Sequence, residues 1–215
     1  MILFLFFIVG LWLSNLTIDK VQNDLVVGKV ILIAITPLEY FYTQIKVAML
    51  IALTLSFPFI LYHLICYIRP ALKRKERIAI TFILPSIIVL FIIGICFSYF
   101  IILKFAINFF SNLALQAGVA NLWTIDRFLS FVLTTCLVFG IVFQLPLLLI
   151  VLSKLDILSI DILKKQRKYV YVLMFVIAAI ITPPDVFTQL MIVFPLILLY
   201  ELSLVLIRII KPSRK

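Results

Sequence analysis

Three stretches of this chain, residues 47–68, 78–103 and 128–153, contain no lysine, arginine, aspartate or glutamate. A helix of about 20 residues is long enough to cross the hydrocarbon core of a bilayer, which is about 30 Å thick. Each stretch reaches that length and therefore predicts a membrane-spanning helix. Because 66% of all residues are hydrophobic, the chain cannot cover a water-facing surface, and we expect one transmembrane domain over residues 1–215.

Three further segments complete the predicted set of spans. Residues 169–181 and 186–207 are apolar and are separated by the tetrapeptide TPPD, whose two prolines break the helix and predict a short final helical hairpin. Residues 1–14 are apolar but too short, and we interpret them as a truncated first span whose beginning is missing. The predicted spans are approximately residues 1–14, 45–67, 78–104, 128–153, 169–182 and 186–207.

One more uncharged stretch is not predicted to span. Residues 105–125 are interrupted by asparagines, a serine, a glutamine and a glycine, and we expect an external loop that is partly helical and interfacial. Trp123 would lie at the level of the headgroups. Residues 25–36 are short and include Lys29, which places them in the first external loop.

The basic residues predict the orientation. Loops 67–77 and 154–168 and the tail from residue 208 hold five, five and four of the 19 lysines and arginines. In a chain with six spans these segments share one side, which the positive-inside rule assigns to the cytoplasm. The predicted fold class is an all-α polytopic membrane protein with six transmembrane helices, N-in and C-in. The net charge of +10 then indicates contact with anionic headgroups of the lipid bilayer and not with nucleic acid.

No residue pattern typical of an enzyme, a cofactor site or a metal site occurs in the sequence. The single histidine, His63, lies beside two tyrosines near a predicted cytoplasmic helix end, and Cys66, Cys96 and Cys136 are isolated in apolar stretches. There is no G-x-S-x-G elbow, no H-E-x-x-H and no P-loop. We therefore expect no catalysis, no cofactor and no metal.

A few polar side chains are predicted at membrane depth, where each is costly unless it pairs or faces water. Gln144 lies in the middle of the fourth span next to Pro146, and it either meets a wet or partner-facing surface or joins two helices. Asp185 either caps the last helix or has a functional role, and Gln189 lies on the same helical face. Glu201 is expected to snorkel or to pair.

Other charged residues lie near the predicted interfaces. Lys46 marks the outer start of the second span, where we expect its amine to reach the headgroups, and Glu39 precedes it. Glu76 is the only acid in the loop of residues 67–77. It either pairs with a neighbouring base or receives a cationic ligand, because the fork of an arginine matches a carboxylate.

Five segments form an ordered set. They are Pro37, Glu39 and Phe41 with Lys46; Pro58 and Tyr62 with RPAL and Glu76-Arg77; Phe139, Gly140, Phe143 and Pro146; the basic RKYV; and TPPDVFTQ with the later LYE. Together they resemble the TatC family over about residues 37–205, and TPPDVFTQ is the most specific piece.

The resemblance implies a concave bundle that serves as the receptor subunit of a twin-arginine translocase, in a bacterial-type cytoplasmic membrane or in an organellar one. It implies that the chain binds precursors with twin-arginine signal peptides and assembles with further copies and with small single-span subunits of the TatA/TatB type. Folded proteins would be exported with the proton-motive force. The residues it assigns to signal-peptide binding are Glu76, Arg77, Pro70 and Leu72. Those it assigns to a partner or translocation surface are Gln144, Pro146, Asp185, Gln189, Glu39, Phe41, Lys46 and Pro58.

Two features depart from the family pattern. A cytoplasmic H-x-x-E-L-R segment with a second recognition acid is absent from this sequence, and Gln144 stands where members often carry glutamate, so this side chain cannot hold a charge. Two other functions stay open. One is a small-solute secondary transporter, which typically has internal repeats and helices broken at the midplane, and the other is a purely structural subunit.

Overall fold

The structure is a computed structural model that describes residues 2–26, 31–68, 74–154, 160–181 and 186–210. The helices are α1 (Ile2–Leu25), α2 (Glu39–Ile68), α3 (Arg74–Phe97), α4 (Lys104–Gln116), α5 (Ile125–Val142), α6 (Leu145–Lys154), α7 (Ile160–Lys165), α8 (Arg167–Ile181) and α9 (Val186–Ile210). A π-helical segment, Ser98–Leu103, joins α3 to α4. The strands are β1 (Ile31–Ile33) and β2 (Leu122–Thr124).

Among the described residues, five helical segments are long and apolar enough to cross a membrane. They are Leu3–Leu25, Glu39–Leu64, Pro85–Gln116, Ile125–Ser153 and Val186–Ile209. Large apolar side chains on these segments are exposed, such as Trp12 (76%) and Phe194 (70%), and lipid tails cover such surfaces without cost whereas water does not. The prediction of a mostly helical membrane protein is confirmed, and the six-span count and the orientation stay predictions.

Helix α8 is short for a membrane-spanning helix. It has 15 residues and is therefore roughly 22 Å long, less than the thickness of a hydrocarbon core. The sequence predicted a short arm at this point. The tetrapeptide at residues 182–185, which was predicted to break the chain between α8 and α9, lies outside the described residues.

The chain divides into two compact units. The first consists of Met1–Phe57 and Ile95–Phe139, and the second of Pro58–Gly94 and Gly140–Lys215. The boundaries fall inside α2, α3 and α5. A proline or a glycine lies on one side of each boundary, and both residue types weaken a helix locally.

The first unit has a core formed by α1, the first part of α2, α4 and α5. Its buried members include Ile18, Val21, Leu25, Val47, Leu103, Ile107, Phe128, Leu129 and Val132. Ile18, Val21 and Leu25 recur every three or four residues on α1, whereas Asp19 and Lys20 are exposed. This helical spacing explains why α1 continues to Leu25, beyond the end at residue 14 that the sequence predicted.

A parallel pair of short strands lies in the first unit. Ile31 pairs with Leu122 and Ile33 with Thr124, so the two segments predicted as external loops contact each other. The sequence did not predict these two strands, because three residues are too few to show the alternation of apolar and polar side chains that is typical of a strand. Before β2, α4 ends at Gln116, and the turn after it contains Gly118 with a positive φ of 67°. The amides of Gly118 and Val119 donate back to the carbonyl oxygens of Leu115 and Ala114.

The second unit is organised around α9. Both α6 and α8 pack along it, and α7 contacts it as well. The buried side chains of this unit include Ile87, Phe91, Leu147, Val151, Met174, Ala178, Ile192, Val193, Leu196, Tyr200 and Leu204. Proline occurs inside α9 at Pro195 and inside α3 at Pro85, and both helices continue through it.

Replacing Gly10 by valine is expected to destabilise the first unit. A Cβ atom at Gly10 would overlap the carbonyl oxygen of Ala48, because α1 and α2 approach each other closely at this point. Overpacking of this kind costs about 1–3 kcal/mol. Unfolding of the purified chain in detergent measures the loss. The control is Leu11→Val at an exposed position, and equal stability of the two variants would contradict the close approach.

Candidate functional site

The residues predicted to bind a signal peptide fall largely outside the described structure. Pro70 and Leu72 are not among the described residues. Glu76 and Arg77 lie near the start of α3, where the structure describes only the backbone. Asp185, predicted on the translocation surface, is also outside the described ranges. Their roles stay predictions.

The other predicted surface residues are divided between the two units. Glu39, Phe41 and Lys46 belong to the first unit, whereas Pro58, Gln144, Pro146 and Gln189 belong to the second. Each unit therefore has its own local geometry. Among the described residues, no group of three histidine, cysteine or acidic side chains is placed to hold a metal ion.

The start of α2 is fixed by Glu39. Its carboxylate accepts a hydrogen bond of 2.6 Å from the backbone amide of Ile35, which precedes the turn into the helix. Two residues later, Phe41 exposes 57% of its surface. Glu39 thus has a local structural role, and Phe41 presents an exposed aromatic side chain in the first turn of α2.

Lys46 forms an ion pair within the first unit. Its Nζ lies 3.1 Å from both carboxylate oxygens of Asp126, the second residue of α5. The two side chains are 50% and 34% exposed, so the pair contributes little to stability, up to about 1 kcal/mol. The ion pair fixes the beginning of α2 beside the beginning of α5. The structure thus gives Lys46 a partner 80 positions away in sequence, and its contact with headgroups stays a prediction.

Gln144 joins two helices of the second unit. It lies at the break between α5 and α6, and Pro146 supplies no N–H to continue the helical ladder through that turn. Its Nε2 donates a hydrogen bond of 2.8 Å to the carbonyl oxygen of Ile87 in α3. Only 4% of Gln144 is exposed, and its Oε1 is buried without a partner among the described residues. The structure thus shows the helix-joining alternative.

Gln189 makes a similar contact at the beginning of α9. Its Nε2 donates a hydrogen bond of 3.1 Å to the carbonyl oxygen of Phe175 in α8. This contact holds the two arms of the hairpin together near the segment that the structure does not describe. Pro58 lies inside α2, at the boundary of the second unit, and the helix continues through it to Ile68.

The sequence interpretation missed a polar cluster around Glu201. The Oε2 atom of Glu201 accepts a hydrogen bond of 2.8 Å from the guanidinium of Arg167, and its Oε1 accepts one of 2.6 Å from the hydroxyl of Tyr171. The neighbouring Tyr200 is buried and donates to the carbonyl oxygen of Leu163 in α7 at 2.9 Å. Arg167 and Tyr171 lie four residues apart on one face of α8, a spacing that could have indicated a shared partner.

Comparison with known proteins identifies the family. The sequence matches the family described as Sec-independent protein translocase protein (TatC) over residues 1–195. The chain belongs to the TatC family. The TatC of Carboxydothermus hydrogenoformans is 38% identical, across 86% of this chain and 76% of that protein. The TatC of Listeria innocua is 37% identical, across 94% and 82% of the two chains.

The solved structures agree with this assignment to TatC. A crystal structure described as the twin-arginine translocase receptor TatC superposes with a TM-score of 0.86 and 33% identity, covering 97% of this chain and 94% of the other. A second crystal structure of that receptor, in DDM, gives a TM-score of 0.85 and 34% identity. The fold of the chain is that of TatC, a multi-pass integral membrane protein.

Replacing Gln144 by leucine is expected to change the free energy of unfolding by less than about 1 kcal/mol. The variant loses one hydrogen bond, worth about 0.6 kcal/mol between membrane helices, and also removes an unpaired buried oxygen. Unfolding in detergent measures the change. A matched variant, Gln144→Asn, retains the amide but shortens its reach to Ile87. Destabilisation of Gln144→Leu by several kcal/mol would show that the lost hydrogen bond outweighs the removal of the unpaired buried oxygen.

Proposed function

We propose that this TatC chain is the receptor subunit of a twin-arginine translocase. It binds the signal peptides of precursors on its cytoplasmic side, assembles with small single-span subunits of the TatA/TatB type, and exports folded proteins with the proton-motive force. The observation that carries the proposal is the likeness to the crystal structure of a twin-arginine translocase receptor over 97% of this chain.

The proposed binding segment is the loop of residues 67–77 with the start of α3. Glu76 is its only acid among the five bases Arg69, Lys73, Arg74, Lys75 and Arg77. A carboxylate on this loop can accept two parallel hydrogen bonds from a guanidinium, whereas an ammonium group offers only a point charge. This difference gives a chemical reason for preferring arginine to lysine. Pro70, Leu72 and Arg77 complete the proposed segment.

The proposed partner surface uses residues with different roles. Phe41 is exposed, and its proposed role is to contact a single-span helix directly. Gln144 is buried, so its proposed role is to position the break between α5 and α6 next to α3. Gln189 and Asp185 are proposed to set the beginning of α9. The remaining members are Glu39, Lys46, Pro58 and Pro146.

The short helix α8 fits a transport role. Its length of roughly 22 Å would require the bilayer to thin locally around it. A thinner bilayer lowers the barrier to passage of a folded protein. We propose this as the contribution of the final hairpin to transport.

Replacing Glu76 by glutamine is expected to weaken binding of a twin-arginine peptide by about two- to five-fold, because ion pairs in water contribute up to about 1 kcal/mol. A photocrosslinker at residue 76 should also label a twin-arginine precursor in membranes, and less of one in which both arginines are lysines. Asp161→Asn is the matched control, since Asp161 is an exposed acid on the predicted cytoplasmic side. Unchanged binding by the Glu76 variant would remove this residue from the site.

A further inference from the structure

The junction of α7 and α8 exposes three lysines. Lys164 and Lys165 are the last two residues of α7, and Lys168 lies in the first turn of α8. The Nζ atom of Lys168 lies 5.1 Å from the centre of the Tyr169 ring. We refer to these three lysines and Tyr169 as the basic corner. Asp161 is the only acid in α7 and α8, so the corner has a net positive charge.

The basic corner has no acidic partner in the part of the chain that the structure describes. The ion pairs found there join Lys46 to Asp126 and Arg167 to Glu201. Arg167 lies between the lysines in sequence, but Glu201 already balances its charge. The lysines of the corner are therefore available to an anionic ligand.

Two contacts fix the position of the basic corner along α9. Arg167 donates to Glu201 at 2.8 Å, and Tyr200 donates to the carbonyl oxygen of Leu163 at 2.9 Å. Glu201 lies eight residues, or about 12 Å, before the end of the apolar segment Val186–Ile209. The basic corner therefore lies beside an apolar part of α9 and not beyond its end.

An exposed apolar surface follows the basic corner along α8. Val172, Leu173 and Val176 are 63%, 56% and 49% exposed. They lie three to eight residues after Lys168 and Tyr169, at spacings that place all five side chains on one face of the helix. Lipid tails cover such a face without cost, whereas water does not. A ligand that suits the whole surface has an anionic headgroup and apolar chains.

We propose that the basic corner binds an anionic phospholipid, and that this lipid produces the local thinning of the bilayer around α8. The lysines hold the phosphate of the headgroup, and the acyl chains cover the exposed face that begins at Val172. The positive-inside rule assigns this end of α8 to the cytoplasmic leaflet, where anionic lipids create a negative surface potential. The inference deepens the contribution to transport that is proposed for α8.

The depth of the corner gives the reason for the thinning. A lysine beside an apolar segment is costly unless it finds a partner, and a headgroup drawn to the corner supplies one. That headgroup then lies about 12 Å short of the end of the apolar segment of α9, so the leaflet is thinner at this point. Attraction of loose basic loops to headgroups would not fix such a depth.

The first test is binding of lipids to the full chain in detergent, measured by native mass spectrometry. Phosphatidylglycerol is compared with phosphatidylcholine of identical acyl chains, so that only the headgroup differs. The wild-type chain is expected to bind phosphatidylglycerol more tightly. Lys168→Gln is expected to weaken this binding about five-fold, the factor that one lysine contributes near anionic lipid, and to leave binding of phosphatidylcholine unchanged.

Two variants separate the site from general electrostatics. Lys168→Arg keeps the charge and should bind phosphatidylglycerol as the wild type does. Lys20→Gln removes an exposed lysine from the first unit and should leave the preference for phosphatidylglycerol unchanged. Both positions are exposed, so the substitutions should cost little stability. Glycerol 3-phosphate, which has the phosphate but no chains, should not displace the lipid.

The second test measures the depth of the corner. Tyr169→Cys receives a spin label in a chain whose Cys66, Cys96 and Cys136 are replaced by alanine, and electron paramagnetic resonance reports the depth of the label. We expect the label near the headgroups in bilayers that contain phosphatidylglycerol. In bilayers of phosphatidylcholine alone it should lie about 12 Å deeper.

Four results would overturn the inference. Equal affinity for the two lipids, or an equal loss of affinity in Lys20→Gln and Lys168→Gln, would show that the corner is not a headgroup site. Displacement by glycerol 3-phosphate would show a site for a soluble phosphate ester. Equal depth of the label in both bilayers would show that α8 thins the bilayer by its length alone. No readout uses a signal peptide, so failure of the receptor function would leave all of them unchanged.

Discussion

The hydrocarbon core of a membrane offers no water to a polar group, and the structure depends on that constraint. Backbone groups must pair within their own segment, which makes every long apolar stretch of this chain a helix. Hydroxyl groups follow the same rule. Those of Thr54, Thr135 and Ser203 each donate to the carbonyl oxygen four residues earlier in their own helix. Side chains with more hydrogen-bonding groups must find partners on a neighbouring helix.

Gln144 and Glu201 show two ways of meeting this requirement. Gln144 is buried, and its bond to Ile87 joins α3 to the break between α5 and α6. A neutral amide suits this place, because a buried charge without a partner would cost several kcal/mol. Glu201 lies nine residues before the end of α9, and Arg167 and Tyr171 of α8 share its two oxygens. Both side chains therefore join neighbouring helices, one as a buried neutral amide and the other as a carboxylate with a cationic partner.

The amino-acid sequence predicts the helices well and their polar contacts poorly. Uncharged stretches and a doubled proline indicate long helices and a short final hairpin, because burial in lipid depends on composition and length. The pairing of Lys46 with Asp126 depends on how two distant segments pack, and no local pattern records it. The parallel strands β1 and β2 escape prediction for the same reason. The sequence shows that Arg167 and Tyr171 lie on one face of α8, but it does not show that both would contact Glu201.

The central claim is that this chain recognises twin-arginine precursors and supports their export. The direct measurement is export of a folded reporter in a bacterial strain that lacks its own TatC and produces this chain with single-span subunits from the same source. The account predicts that the reporter crosses the membrane only when its signal peptide carries two arginines, and that an uncoupler stops it. Retention of the reporter inside cells that contain all the subunits in the membrane would contradict the account, as would equal export with a twin-lysine signal.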